Sequence, residues 1–281
     1  MNLFRRWSGA WRALPSFLIA GAQRCGTTSL CDYLRRHPDV YLPGIKEVHY
    51  FDNQFGRSLD WYRSFFPLRG QVERHRRRCG RELAIGESSP YYLFHPEVPG
   101  RVFGALPDVR VVCLLRHPTE RAFSQFRHER RLGFEEEVSL RRALELEASR
   151  MEGARTVLEP RDGVHPGHNH GSYTGRGEYA PQLRRWIEVF GRERVHVLIS
   201  EELFQDAAPV LARLCRFLDL RDDVQLGDLP RNNATIRGEE DAEVRRALDA
   251  HFRPGIEELE ELLGRPTGWL DPGKVSQRGA S

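Results

Sequence analysis

A chain of 281 residues, 40% apolar and 10% aromatic, can bury a full core, which excludes a disordered or fibrous protein and fits one large α/β domain or two small ones. Its 43 basic and 40 acidic residues leave a net charge of +3, enough to suit an anionic ligand and too little to point to nucleic acid. Five scattered cysteines, Cys25, Cys31, Cys79, Cys113 and Cys215, predict neither a disulfide framework nor a metal-ligand spacing.

The first residues, 1–15, carry Trp7, Trp11 and several arginines and read as a loosely ordered extension with no secretory signal or membrane span. A reducing, cytoplasmic setting is the resulting expectation. The apolar run Phe17–Ala20 then leads into Gly21. Thr27, Thr28 and Ser29, all able to cap a helix, follow Gly26, and Leu30, Tyr33 and Leu34 give a helical pattern that Pro38 stops. Strand, glycine loop and helix in this order aim backbone N–H groups and a positive helix end at one spot, where a phosphate or sulfate can sit. A nucleotide-triphosphate loop needs Lys directly after its second glycine. Here Thr27 takes that place and the basic residue, Arg24, lies inside the loop, so a shorter anionic group is expected.

Val40–Leu42 is a weak strand candidate, and Lys46-Glu-Val-His-Tyr-Phe-Asp52 follows it. Polar and apolar residues alternate there, so Glu47 and His49 share a face of an extended segment. A carboxylate beside a Lys and a His can act as general base on a hydroxyl; a solvated loop with local ion pairs is the plainer alternative. Leu83–Ile85 reads as a strand ending at Gly86-Glu87-Ser88-Ser89-Pro90, and Val109–Leu115 as a strand covered on both faces. Arg116 ends the latter, and Pro118 starts a helix carrying Ala122, Phe123, Ser124 and Phe126. An Arg fork and a hydroxyl in that arrangement can hold one phosphate. A nucleoside triphosphatase would present an Asp at this strand end to hold magnesium; Arg116 argues against that chemistry.

Met151–Thr174, rich in Gly, His and Asn, reads as a mobile loop whose His165, His168 and His170 form a solvated lid, with contact to an acceptor or adventitious metal binding as the alternatives. Helical patterns over Pro181–Phe190, Phe204–Leu218 and Ala242–Leu263, with a strand at Val195–Ile199, complete the chain. This alternation predicts one domain built on a central parallel β-sheet flanked by helices. Its polar clusters fall at strand carboxyl ends, where such sheets bind ligands.

Gly21-Ala-Gln-Arg-Cys-Gly-Thr-Thr-Ser-Leu30, Lys46-Glu-Val-His-Tyr-Phe-Asp52 and Leu115-Arg-His-Pro-Thr-Glu-Arg-Ala-Phe-Ser124 resemble the signature segments of sulfotransferases that use 3′-phosphoadenosine 5′-phosphosulfate (PAPS). The closest likeness is to the carbohydrate branch related to heparan sulfate sulfotransferases, as a bacterial-type stand-alone domain. Weaker likenesses run from Arg176-Gly-Glu-Tyr179 to Phe190 and from His251-Phe-Arg-Pro254 to Trp269. The resemblance implies a P-loop-like fold over 16–270, between the extension and a 271–281 tail. It implies that Arg24, Cys25, Gly26, Thr27, Thr28 and Ser29 cradle the 5′-phosphosulfate and that Arg116 and Ser124 bind the 3′-phosphate. It makes Glu47 the base on an acceptor hydroxyl, with His49, Asp52 and Glu87 lining the acceptor site, and implies no required metal. Where the family usually has Lys, this chain has Arg24; Lys46 is the candidate for a compensating ammonium. The Arg-Lys-Gly run of cytosolic members is absent, and Arg231 or Arg237 is the candidate replacement. The acceptor, a glycan or other hydroxyl-bearing small molecule, stays open, as does oligomeric state. A P-loop kinase or hydrolase and a PAPS-binding module with impaired chemistry are the alternatives.

Overall fold

The computed structural model describes residues 8–161, 163–224, 227–230 and 241–270. Five strands, β1 (Phe17–Gly21), β2 (Val40–Tyr41), β3 (Ala84–Ser88), β4 (Arg110–Leu115) and β5 (Val195–Ile199), form one parallel sheet in the order β2-β3-β1-β4-β5. Every residue of β1 and β3 is buried, as helices on both faces require. From β1 the chain crosses to the edge strand β2, fills in β3 beside β1, then builds outward on the other side through β4 and β5. The strand order therefore reverses at β1, and it is beyond the carboxyl end of such a strand that sheets of this kind bind ligands.

The helices are α1 (Thr27–Leu34), α2 (Leu59–Arg63), α3 (Arg69–Cys79), α4 (Val98–Ala105), α5 (Pro118–Leu132), α6 (Leu140–Arg150), α7 (Ala154–Leu158), α8 (Pro166–His170), α9 (Tyr179–Phe190), α10 (Ser200–Gln205), α11 (Ala207–Phe217) and α12 (Ala242–Leu263). The five expected strands are present. Four expectations change, three of them inside the domain. The Phe204–Leu218 pattern is two helices, broken where Asp206 is extended at φ −144°, ψ 92°. β3 runs on to Ser88, because Gly86 lets the Phe17 ring lie against the strand and Glu87 finds partners in the interior. Residues 151–174 are not an open lid: they hold α7 and α8, and the His168 imidazole stacks on Phe94 at 4.1 Å and shares a 2.5 Å hydrogen bond with Tyr91.

Residues 8–14 pack onto the domain rather than trailing from it. Arg12 is buried and donates to the Phe66 carbonyl at 2.6 Å, and Ala13 N–H donates to Pro67 at 2.9 Å. No helix of the described residues is long and apolar enough to cross a membrane.

Candidate active site

The loop from Ala22 to Gly26 joins β1 to α1. Ala22 N–H donates to the Leu114 carbonyl at 2.7 Å and Ser200 Oγ to the Cys25 carbonyl at 2.9 Å, so the loop is anchored to β4 and α10. Gly26 sits at φ 95°, and a Cβ there would lie 2.8 Å from the Phe204 ring. Only glycine fits. It is also the N-cap of α1 and brings no capping side chain, so the first turn of α1 keeps donors for a ligand. Thr27, Thr28 and Ser29, expected as caps, lie inside that first turn. The Cys25 and Ser29 side chains are buried, which leaves backbone groups for a ligand. Burial pushes the Cys25 thiol up to about 11, so it stays protonated.

Arg24 adopts φ 68° and points its Nε at Ser124 Oγ, 3.2 Å away on α5. Burial lowers its pKa first, and repulsion from Arg131 and Arg116 lowers it further. A desolvated guanidinium with like charges beside it is relieved by a bound anion. Arg116 lies at the carboxyl end of β4, its NH2 3.5 Å from Glu120, and its carbonyl accepts from Tyr179 at 2.8 Å. Two motifs far apart in sequence thus meet: the anion loop of β1 and the Arg–Ser pair of β4 and α5.

The second half of the site is the loop after β2. His49 Nε2 is 3.0 Å from Glu47 Oε2, and His49 Nδ1 is 2.7 Å from Asp52 Oδ2. A ring with a carboxylate on each nitrogen is held as the doubly protonated cation. Burial lowers the His49 pKa, but the bonds to Asp52 and Glu47 override it and raise it to about 10. Burial likewise pushes Glu47 up, and His49 and then Lys46 (Nζ at 3.3 Å) more than reverse this, leaving it below the ordinary carboxylate range. Glu47 and His49 do meet, as the alternation predicted, although His49 is left-handed at φ 54° and the segment is not extended.

Asp52 and Glu87 do not line the cleft. Both are fully buried beneath it. Glu87 accepts from Tyr62 at 2.6 Å, Ser89 at 2.6 Å and Tyr92 at 2.9 Å. Burial raises its pKa, and these three hydroxyls moderate the rise. Ser89 Oγ accepts from His49 N–H at 3.1 Å, and Tyr92 Oη from Phe51 N–H at 3.2 Å. Glu87 therefore supports the loop after β2 from beneath. Arg231 and Arg237 lie outside the described residues.

Two arginines that local pattern left unassigned to the site brace it. Arg101 donates to Phe51 O at 3.1 Å and to Leu158 O at 2.9 Å, tying the loop after β2 to α7. Arg176, fully enclosed, donates to Gln23 Oε1 at 2.5 Å and to the His168 and Asn169 carbonyls at 2.9 and 2.6 Å, tying the anion loop to α8. The likeness over Arg176–Tyr179 was the available signal for the latter.

Residues 14–230 match the sequence model of a Sulfotransferase domain. Among curated proteins, the chain is 28% identical over 283 residues to heparan sulfate glucosamine 3-O-sulfotransferase 6 of Mus musculus, covering 92% of this chain and 74% of that one. It is 22% identical to the membrane-associated sulfotransferase kil1 of Dictyostelium discoideum, covering 93% and 68%. Among solved structures, a sulfotransferase from Alicyclobacillus acidocaldarius superposes with a TM-score of 0.70 at 33% identity, covering 92% of this chain and all of that one.

Proposed function

Because the chain belongs to the sulfotransferase family and is a sulfuryl-transferring enzyme, we propose that its donor is PAPS and its acceptor a carbohydrate hydroxyl. The observation that carries the donor assignment is the 3.2 Å contact between Arg24 and Ser124. It joins the loop after β1 to α5, which supports a nucleoside with phosphates on two different ribose carbons over a linear triphosphate. The uncapped start of α1 and the cationic crowding at Arg24 fit a phosphosulfate, and Arg116 with Ser124 fits the 3′-phosphate. The acceptor assignment draws on the relatives' names and on the surface beside the base loop. There Arg101 and Arg161 lie over Phe55 at 4.9 and 5.2 Å, and Arg57 over Trp61 at 5.7 Å, a pairing of rings and cations suited to an acidic sugar. Five unpaired cysteines favour a reducing compartment such as the cytoplasm.

In this reading Glu47 accepts the proton of the acceptor hydroxyl as its oxygen attacks sulfur. His49 stays protonated to about 10 and so orients Glu47 rather than competing for that proton. Charge grows on the leaving 5′-phosphate oxygen as the O–S bond breaks. Arg24 and the N–H groups of Gly26, Thr27 and Thr28 neutralise it, each well-aimed donor worth about 3 kcal/mol in such transition states. Arg24 carries fixed charge only, so it stabilises the leaving oxygen without donating a proton. Lys46 is in this reading the ammonium that serves the sulfuryl group; its ion pair with Glu47 supports that role.

Glu47→Gln tests the reading. Turnover with PAPS and a sugar acceptor should fall by about 10²–10⁴-fold, the usual worth of a general base, with affinity for the desulfated product nearly intact. Undiminished turnover would remove Glu47 from the base role.

A further inference from the structure

The amino ends of β2 and β3, at the opposite end of the sheet from the anion loop, hold a second cluster of reactive side chains. Asp39 directly precedes β2 and is buried; its carbonyl accepts from Ala84 N–H at 2.9 Å. His75 and Cys79 lie one turn apart on α3 and so share a helix face. His75 Nε2 is 3.2 Å from Asp39 Oδ1, and Cys79 Sγ is 3.9 Å from His75 Nδ1. One ligand atom from each residue fits within a sphere where all lie within 4.8 Å of one another. His75 Nε2 is also shielded from solvent and makes no hydrogen bond, in spite of the carboxylate beside it. Its 3.2 Å distance to Oδ1 suits two ligands of one ion.

The surroundings prepare Asp39 for such a role. Arg221 Nε holds the other carboxylate oxygen, Oδ2, at 3.1 Å. Asp39 N–H donates to His37 Nδ1 at 3.1 Å, and His37 Nε2 lies 3.1 Å from the Arg221 carbonyl. This outer ring fixes the carboxylate and leaves Oδ1 turned to His75, as outer partners do around metal ligands.

We propose that Asp39, His75 and Cys79 bind a thiophilic divalent cation, zinc foremost, which pins α3 to the start of β2. A thiolate, an imidazole and one carboxylate oxygen form a donor set of borderline softness that suits zinc and is foreign to magnesium and calcium. Two anionic ligands neutralise the ion beside the arginines of α3. Tetrahedral bonds of about 2.0–2.3 Å require ligand atoms roughly 3.2–3.8 Å apart. Rotation of the exposed Cys79 side chain, on the last turn of α3, supplies that contraction. Binding releases the thiol proton, so affinity rises with pH. The spacing of the cysteines hid the set, because Cys79 is its single cysteine and Asp39 lies far earlier in the chain.

The test is a titration of the reduced, full-length chain with cobalt(II) as the optical stand-in for zinc. One equivalent should give thiolate-to-cobalt charge-transfer absorption in the near ultraviolet, bleached by one equivalent of zinc. Cys79→Ser, at an exposed position that tolerates the change, should abolish the band; His165→Ala, on the distant 163–170 segment, should leave it. Zinc should raise the thermal midpoint of the wild type and not that of Cys79→Ser. No charge-transfer band in the wild type, or a band that survives in Cys79→Ser, overturns the assignment.

Discussion

His49 decides how Glu47 behaves. With imidazolium on one side and Lys46 on the other, Glu47 is ionised throughout the neutral range. In His49→Ala only burial and Lys46 act on it, so its pKa should rise and the acid limb of the kcat profile should move to higher pH. The same variant should lose about 10²-fold in kcat at neutral pH, the usual cost of a misplaced reacting group. A pH–rate profile checks both; an unmoved acid limb would show that Glu47 does not set it. The Glu47–His49 pair was legible in the sequence because short alternation brings the two side chains together. The third member was not placed correctly: Asp52 reads as a cleft residue, yet the left-handed turn at His49 folds it underneath, where it grips Nδ1. Glu87 was misread for a related reason. Its burial depends on Tyr62, supplied by α2, an element with no clear local signature.

At the scale of elements, the base loop hangs on β3. Ser89 Oγ donates to Glu87 and accepts from His49 N–H, so it transmits the strand's position to the loop. Ser89→Ala should cost about 1–3 kcal/mol for partners left unpaired in the interior. It should also lower kcat with little change in product-nucleotide affinity, since the anion loop is anchored elsewhere; urea melts and steady-state kinetics read the two effects. Gly26→Ala acts on the other half. It forces a side chain onto φ 95° and against Phe204, for a cost of about 1–3 kcal/mol, and should weaken nucleotide binding while a melt still shows a folded protein. The strand–glycine loop–helix order was legible, because Gly26 stands where a positive φ demands glycine; the caps expected at Thr27, Thr28 and Ser29 were not, since Gly26 is itself the N-cap. The 151–174 segment was not, because its order comes from distant partners. Glu147 of α6 accepts from Ser172 Oγ at 3.0 Å and from Thr174 N–H at 2.8 Å, and Phe94 stacks on His168. Composition alone reports Gly, His and Asn, which suit a loop, and says nothing of the carboxylate that collects their backbone.

For the whole molecule, buried histidines set the pH range of stability from both sides. Burial lowers His95 to about 3 and His196 to about 4, and pushes His168 down as well. Unfolded, each takes a proton near 6.5, so the stability tied to their neutral forms is present above that pH and is lost as pH falls toward 4 and 3. His49 works in the opposite sense: raised to about 10, it contributes fully below 6.5 and loses its contribution as pH climbs to 10. Stability should therefore peak near neutrality, and His196→Asn should flatten the acid side of a plot of thermal midpoint against pH; an acid side of unchanged slope would remove His196 from the account. The parallel sheet was legible from continuous apolar runs alternating with helical periods. The break at Asp206 and the packing of residues 8–14 were not: Pro209 lies three residues past the break and does not mark it, and the partners that seat Gly9 and Arg12, Asp60 and Phe66, are distant in sequence. The account as a whole stands on one pocket holding two separated phosphates. Calorimetric titration with 3′-phosphoadenosine 5′-phosphate, against ATP–magnesium, on the wild type and Arg116→Ala, tests it directly. Tight binding of the bisphosphate that Arg116→Ala abolishes, with weak binding of ATP, is the predicted result; ATP binding with no response to the bisphosphate would contradict it.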